Sequence, residues 1–353
     1  MKWYVKLALA CVFILGLAGC SNREADNGKN QTNVKPTLYS LDEQKKELEK
    51  MPVFYDLAFS NDKQDSGTYV IPGLLKTETL KANRTGKQEI SDEMDPQGIT
   101  VAEDYVLISA YSHKKDYNSV IYVLDNKTHS YIKTVVLDGN PHVGGIIYDP
   151  VNQNIWVCND KRNTSTARIS SISLSDLKKY RFSENYEPIE YNQTIDLTDL
   201  NKASFIGYKN HALYIGDFSD KRHGKMNRYT LNEQGTVKQT SDRKIVIEDK
   251  PDQTYNINKE IQGVTFYENY ILFSQSYGSE KSKILIYNDE KNSLSLEEDL
   301  VKEIEAPPYL EQIYSKENSL YAIFESGTKR FRKNNKIIKV DRVLQLDEQK
   351  VLN

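Results

Sequence analysis

The feature that most constrains this chain is a segment that it contains twice. Gln97 to Tyr111 reads Gln-Gly-Ile-Thr-Val-Ala-Glu-Asp-Tyr-Val-Leu-Ile-Ser-Ala-Tyr, and Gln262 to Ser276 reads Gln-Gly-Val-Thr-Phe-Tyr-Glu-Asn-Tyr-Ile-Leu-Phe-Ser-Gln-Ser. Gln, Gly, Thr, the acid, Tyr and Ser recur at matching offsets, without a gap, over 15 positions. Self-similarity across such a distance marks a repeat architecture, in which each unit needs neighbours to bury its apolar face.

Extending that plan along the chain yields five opening runs: Gln97–Val101, His142–Tyr148, Ser204–Tyr208, Gln262–Phe266 and Glu311–Tyr314. Each meets a turn and then a more apolar run: Tyr105–Ala110, Ile155–Cys158, Leu213–Gly216, Ile271–Ser274, Leu320–Phe324. Third runs follow, such as Ser119–Asp125, Lys283–Asp289 and Arg342–Asp347, with Ala167–Ser175 and Met226–Asn232 as weaker copies. Tyr131–Leu137 and Lys244–Ile247 supply fourth runs. Four short strands per unit, with openings 45 to 62 residues apart, is the spacing of an all-β propeller. The expectation is five four-stranded blades, with Tyr69–Leu75 completing the last one and hiding the open sheet edges. A sixth blade would have to come from residues 177–202 or 53–95, and a two-sheet sandwich is the alternative without a repeat.

The first 65 residues read differently. Lys2 and Lys6 precede the apolar run Leu7–Leu17 and then Ala18-Gly19-Cys20-Ser21, the layout of an export signal too short for a mature membrane span. Leu17-Ala18-Gly19-Cys20 resembles the bacterial lipobox. That resemblance implies cleavage before Cys20, diacylglyceryl and palmitate-type acylation of it, and a lipoprotein held on the extracytoplasmic face of the cell membrane. An uncleaved anchor or plain secretion is the alternative. The divisions are thus a signal at 1–19, a lipidated Cys20 with flexible tether and short helix through residue 65, and a propeller over 66–353. Ser40-Leu41-Asp42-Glu43 has capping-box spacing before a helix over Gln44–Met51, which Pro52 stops.

Composition narrows the partners. The net charge of −3 becomes −5 once residues 1–19, with Lys2 and Lys6 and no acids, are removed, so nothing attracts nucleic acid. Cys158 is the one cysteine beyond Cys20, which leaves no intramolecular disulfide in the mature chain. Tyrosine, at 24 residues against 10 Phe and 2 Trp, suits strands and wet ligand-facing walls.

A propeller gathers residues distant in sequence at the mouths of its axis. The openings offer Gln97, His142, Ser204, Gln262 and Glu311. The ends of the second strands offer Tyr111, Asn159, Asp160, Asp217, Ser276, Tyr277 and Glu325, on the same mouth or the other. His142, in irregular Pro141-His142-Val143-Gly144-Gly145, is the candidate general base, its ordinary pKa lying near neutrality. His113, His129, His211 and His223 read as solvated loop or turn residues. Glu311 and Glu325, with Asp217 and Asp160, are candidate oxygen ligands for a divalent ion such as Ca²⁺, although no metal-loop spacing is present. Phe324-Glu325-Ser326-Gly327 lacks the nucleophile-elbow pattern, and the Gly pairs precede strands, not helices, so neither a serine hydrolase nor a phosphate loop is indicated. The basic run Lys329-Arg330-Phe331-Arg332-Lys333 reads as a solvated loop, with anionic head groups or wall polymer as the alternative contact.

With Pro96-Gln97-Gly98, Ser109-Ala110-Tyr111, His142-Val143-Gly144-Gly145, Ser274-Gln275-Ser276-Tyr277-Gly278 and Phe324-Glu325-Ser326-Gly327, the chain over residues 66–347 resembles secreted bacterial β-propeller lipoproteins. More distantly it is similar to YncE-like and gluconolactonase-like propellers. The likeness to sugar lactonases implies a divalent ion held by an acid, Asn and Asp at the axis, for which Glu325, Asn159 and Asp217 are the matching residue types. The first expectation is a lipid-anchored propeller binding an extracellular glycan, wall fragment or protein. The other is a metal-assisted hydrolase of a lactone, ester or phosphoester with His142 as base. A scaffold without a small ligand is the third.

Overall fold

The computed structural model describes residues 38–60, 67, 69–82, 84, 86–160, 166–237, 245–247, 250–290 and 293–353. The signal, Cys20 and the tether up to residue 37 lie outside the described residues. No helix among the described residues is long and apolar enough to cross a membrane.

The strands form a five-bladed β-propeller. Blade 1 runs Met94–Ala102, Tyr105–Ser112, Val120–Asp125, Tyr131–Val136, from the axis outward. Blade 2 runs Ile146–Asp149, Asn154–Asp160, Ala167–Ser173, Gln193–Leu197. Blade 3 runs Phe205–Lys209, Ala212–Gly216, Gly224–Thr230, Gln253–Ile257. Blade 4 runs Ile261–Tyr267, Tyr270–Gln275, Ser282–Asn288, Leu300–Ala306. Blade 5 has Leu310–Lys316, Ser319–Phe324 and Leu344–Asp347. Its fourth position is taken by the N-terminal segment, where Val70 bridges Arg342, Gly67 N donates to Val343 O and Ile71 N donates to Asp341 O.

Each blade is sandwiched between two others, so its strands are buried on both faces and read as near-continuous apolar runs. The nine residues Met94–Ala102 are all buried. Five apolar clusters fill the gaps between neighbouring blades. One joins Ile99, Ile108 and Tyr122 of blade 1 to Ile323 and Val343 of blade 5, which closes the ring. No sixth blade exists among the described residues. The stretch 177–202 supplies parts of two short helices and the outer strand of blade 2, while 53–95 supplies a helix, the hairpin of Thr77–Leu80 with Gln88–Ser91, and the start of blade 1.

Two expectations about individual segments need correction. Ile245–Ile247 does not complete the third unit; it pairs in parallel with Gln193–Leu197 at the outer edge of blade 2, and Gln253–Ile257 is the fourth strand of blade 3. Pro52 stops one helix but also begins another. Helix α1 covers Leu41–Leu48 with Ser40 as the expected capping box, and helix α2 covers Pro52–Phe59 with Pro52 at its first turn, where a missing N–H is harmless. These helices bury Leu48, Phe54, Leu57 and Ala58 against Leu310, Phe324, Ile304 and their neighbours in blades 4 and 5. Asp341 and Arg342 tie them to the N-terminal segment that completes blade 5. The Asp341 carboxylate accepts from Leu38 N at 2.8 Å, Tyr39 N at 2.9 Å and Arg342 Nε at 2.8 Å, and Arg342 Nη1 donates to Gly67 O at 3.0 Å.

The repeated sequence has a shared structural task. Thr100 Oγ1 accepts from Tyr148 N of the next blade at 3.2 Å, and Thr265 Oγ1 accepts from Ser315 N of its next blade at 2.9 Å. A Cβ on Gly98 would stand 2.7 Å from Gln312 Oε1, and one on Gly263 would stand 2.8 Å from Gln312 Cα. Glycine after the Gln is thus needed for inner strands to crowd the axis. Gln312, fully buried, fills that space. Its Oε1 accepts from Ile99 N at 3.3 Å and Ile146 N at 3.0 Å, and its Nε2 donates to Ile146 O at 2.8 Å. One side chain from blade 5 therefore stitches blades 1 and 2 together.

Candidate functional site

Antiparallel pairing decides which residues share a mouth. The start of each inner strand stands beside the end of the second strand: Asp95 faces Tyr111, Ile146 faces Val157, Phe205 faces Gly216, Ile261 faces Gln275 and Leu310 faces Phe324. The residues at the openings and those ending the second strands consequently lie at one mouth. In blades 1, 4 and 5 the inner strand shifts register there, between Pro96 and Gly98, Ile261 and Gly263, and Leu310 and Ile313. Such bulges re-aim side chains, and the three carry Gln97, Gln262 and Glu311.

The chemistry concentrates between blades 5 and 1. Asp95, Glu311 and Glu325 are 1%, 4% and 9% exposed. Burial, reinforced by the Glu325 charge, pushes the Asp95 carboxyl up to about 8. Burial likewise lifts Glu325 to about 7, against the opposing pull of Arg330 and of its hydrogen bond with Gln97. Glu311 is raised well above the ordinary range by burial and then by Glu325 and Asp95. Desolvation and mutual repulsion both disfavour the charged forms. Gln97 Nε2 donates to Glu325 Oε2 at 3.2 Å. Asp95 Oδ2 has no hydrogen-bond partner among the described residues and lies 3.3 Å from His113 Nδ1.

Aromatic rings and cations surround the acids. The Tyr111 ring stands 4.2 Å from that of His142, with Lys115 Nζ 4.7 Å from its centre. Tyr309 stacks on Phe331 at 4.0 Å, and the Arg330 guanidinium lies 4.8 Å from the Phe331 ring centre. The basic run is a strand-to-strand loop, as expected, but it is tied down: Lys329 pairs with Asp92 and Arg332 donates to Leu74 O. Arg330 remains exposed and acts electrostatically on all three acids.

The histidines change roles. His142 precedes the inner strand of blade 2, which begins at Ile146. It keeps an exposed edge, yet surrounding protein and then Lys115 and Lys202 hold its pKa well below the usual imidazole range. His113 is not the silent loop residue expected, since it contacts Asp95. His129, His211 and His223 do sit in turns or loops, His211 Nε2 being 3.2 Å from Asn232 O and His223 Nδ1 3.2 Å from Ile257 O.

Other candidates serve their own loops. Asp217 Oδ1 accepts from Lys225 N at 2.7 Å, Asn159 Nδ2 donates to Ser170 Oγ at 3.1 Å, and Gln262 Nε2 donates to Ser276 O at 3.3 Å. Ser204 N donates to Gly216 O, and Tyr277 is exposed beside Phe218. Asp160 pairs with Ala167 at the end of its strand. Among the described residues no group of three His, Cys, Asp or Glu side chains is disposed to hold a metal ion, Glu311 and Glu325 included. Asp95, Tyr309 and Arg330 are the functional residues that sequence reasoning missed. Only Asp95 left a signal, standing two places before Gln97 at the opening of the first blade.

No family model matches the chain, and no curated protein matches it. Among solved structures it is similar to a chain described as an oxidoreductase (glucose dehydrogenase) from Thermus thermophilus, at 12% identity over 79% of this chain and 91% of that one, with a TM-score of 0.41. It is also similar to Kuenenia stuttgartiensis hydrazine synthase, at 14% identity over 73% of this chain and 66% of that one, with a TM-score of 0.37. Neither likeness carries an argument about activity.

Proposed function

We propose that the protein is a lipid-anchored binding protein, held through Cys20 on the extracytoplasmic side of the membrane, whose propeller takes an extracellular ligand bearing a positively charged nitrogen. The observation that carries this reading is the burial of Asp95, Glu311 and Glu325 at one mouth, where the charges of these acids act on one another. Buried carboxyls in that arrangement hold protons until a cation replaces them. Tyr309, half-buried and acted on by the Glu325 charge, adds an aromatic face suited to an ammonium group. Arg330, on a loop over the acids, supplies partial compensation that an arriving cation would displace.

The test is thermal unfolding of the full chain in mild detergent, with spermidine, lysine and choline against neutral analogues. A ligand at a hundred times its dissociation constant adds about 2.7 kcal/mol. The stabilisation is expected to vanish in D95N and E311Q and to grow in R330A. No stabilisation by any cation, or stabilisation indifferent to those substitutions, overturns the reading. A shift produced by Ca²⁺, Mg²⁺ or Mn²⁺ and removed by EDTA would favour the metal-assisted hydrolase instead. Anchoring is checked separately: the wild type should enter the detergent-rich phase on Triton X-114 partition, and C20S should not.

A further inference from the structure

The propeller has a second mouth, and its walls differ in kind. The five opening runs end at Val101, Tyr148, Tyr208, Phe266 and Tyr314, one from each blade, and all five line a half-open cavity of about 450 Å³. Repeat-equivalent positions thus build a cup with four aromatic walls. That volume lies within the range of about 300–1,000 Å³ typical of small-ligand sites. We propose that this cup binds a neutral sugar ring.

A sugar ring presents apolar C–H faces and a hydroxyl edge, and the cup offers the complement of both. Its aromatic faces supply apolar contact, while the phenols supply polar tips. The Tyr148 side chain is 8% exposed, and electrostatic contacts with Glu103, Asp149 and Tyr314 act on its hydroxyl, with no hydrogen bond to it among the described residues. Its hydroxyl is thus a donor that a ligand in the cup can engage. Tyr314 Oη is turned to Val101 O at 3.4 Å, which fixes its ring as a wall. Thr265 adds a small polar side chain, and the charges lining the cup, Glu103 and Lys316, are of opposite sign, so neither a cation nor an anion is selected.

The experiment is saturation-transfer NMR on the full chain in detergent, with methyl β-D-glucoside and N-acetylglucosamine as probes and indole as a flat, non-sugar control. Saturation is expected at ring C–H protons of a sugar probe. F266A should weaken binding about tenfold or more and Y148F by about threefold to tenfold, through loss of stacking and of one hydrogen bond. If F266A fails to fold, as judged by circular dichroism, Y148F decides. Absence of transfer to both sugars, binding of indole in their place, or sugar binding unaffected by Y148F and F266A would overturn the proposal.

Discussion

Glu348 opens the C-terminal helix Glu348–Leu352 and is fully buried. Burial lifts its pKa from 4.5 to about 7, the Ser315 hydroxyl opposing and Glu268 adding. A raised carboxyl means that the folded state keeps a proton that the unfolded chain has already released, so this contribution is complete below pH 4.5 and is lost as pH climbs through about 7. At 1.36 kcal/mol per unit, the ionised side chain weakens the fold by roughly 3 kcal/mol at pH 8. A negative charge in the first helical turn returns about 0.3–1 kcal/mol, which leaves roughly 2–3 kcal/mol. E348Q removes the titration while keeping the shape. Urea unfolding of both proteins at about pH 5 and pH 8 should show the wild type losing roughly 2 kcal/mol more than E348Q across that interval. The parallel contributions of Asp95, Glu311 and Glu325 occur in both proteins and cancel. Equal losses, within about 0.5 kcal/mol, would refute the reasoning.

Other measurements address the axis, the helices and the mouth. Q312A strands three buried backbone groups of blades 1 and 2 and is expected to destabilise the fold by about 3 kcal/mol or more in urea unfolding. F54A empties a fully buried site facing Phe324 at 6.2 Å and should cost about 3–5 kcal/mol, read the same way; a loss below about 1 kcal/mol would show that α2 is merely laid on the surface. Because Asp95 and Glu325 have pKa values of about 8 and about 7, calorimetry should show a cationic ligand releasing protons and binding more tightly at pH 8 than at pH 6.

The blades were legible because the same physics repeats in each. Glycine where strands crowd, threonine where one blade bonds the next, and an apolar run buried on both faces all leave marks at fixed offsets. Features made once leave none. Ile245–Ile247 joins a neighbouring blade's edge, a partnership that no local pattern encodes. Pro52 reads as a stop because the sequence shows the end of one helix and hides the packing that begins the next. The site was half legible. Gln97, Tyr111, Glu311 and Glu325 sit at repeat positions, whereas Arg330 reaches the acids from a loop of its own, and His113 gains its importance only from Asp95 across the strand pair.

The latch that completes blade 5 also sets a schedule. Gly67 and Arg342 are 275 positions apart, and at a synthesis rate of about 5–20 residues per second the first waits roughly 15–55 s for the second. Through that interval the growing array has two raw ends, blade 1 lacking its neighbour and the early segment lacking its strand. Long-range pairing of this sort is slow and leaves edges open to other chains. A nascent molecule of this kind depends on being kept apart from its siblings until the final strand arrives.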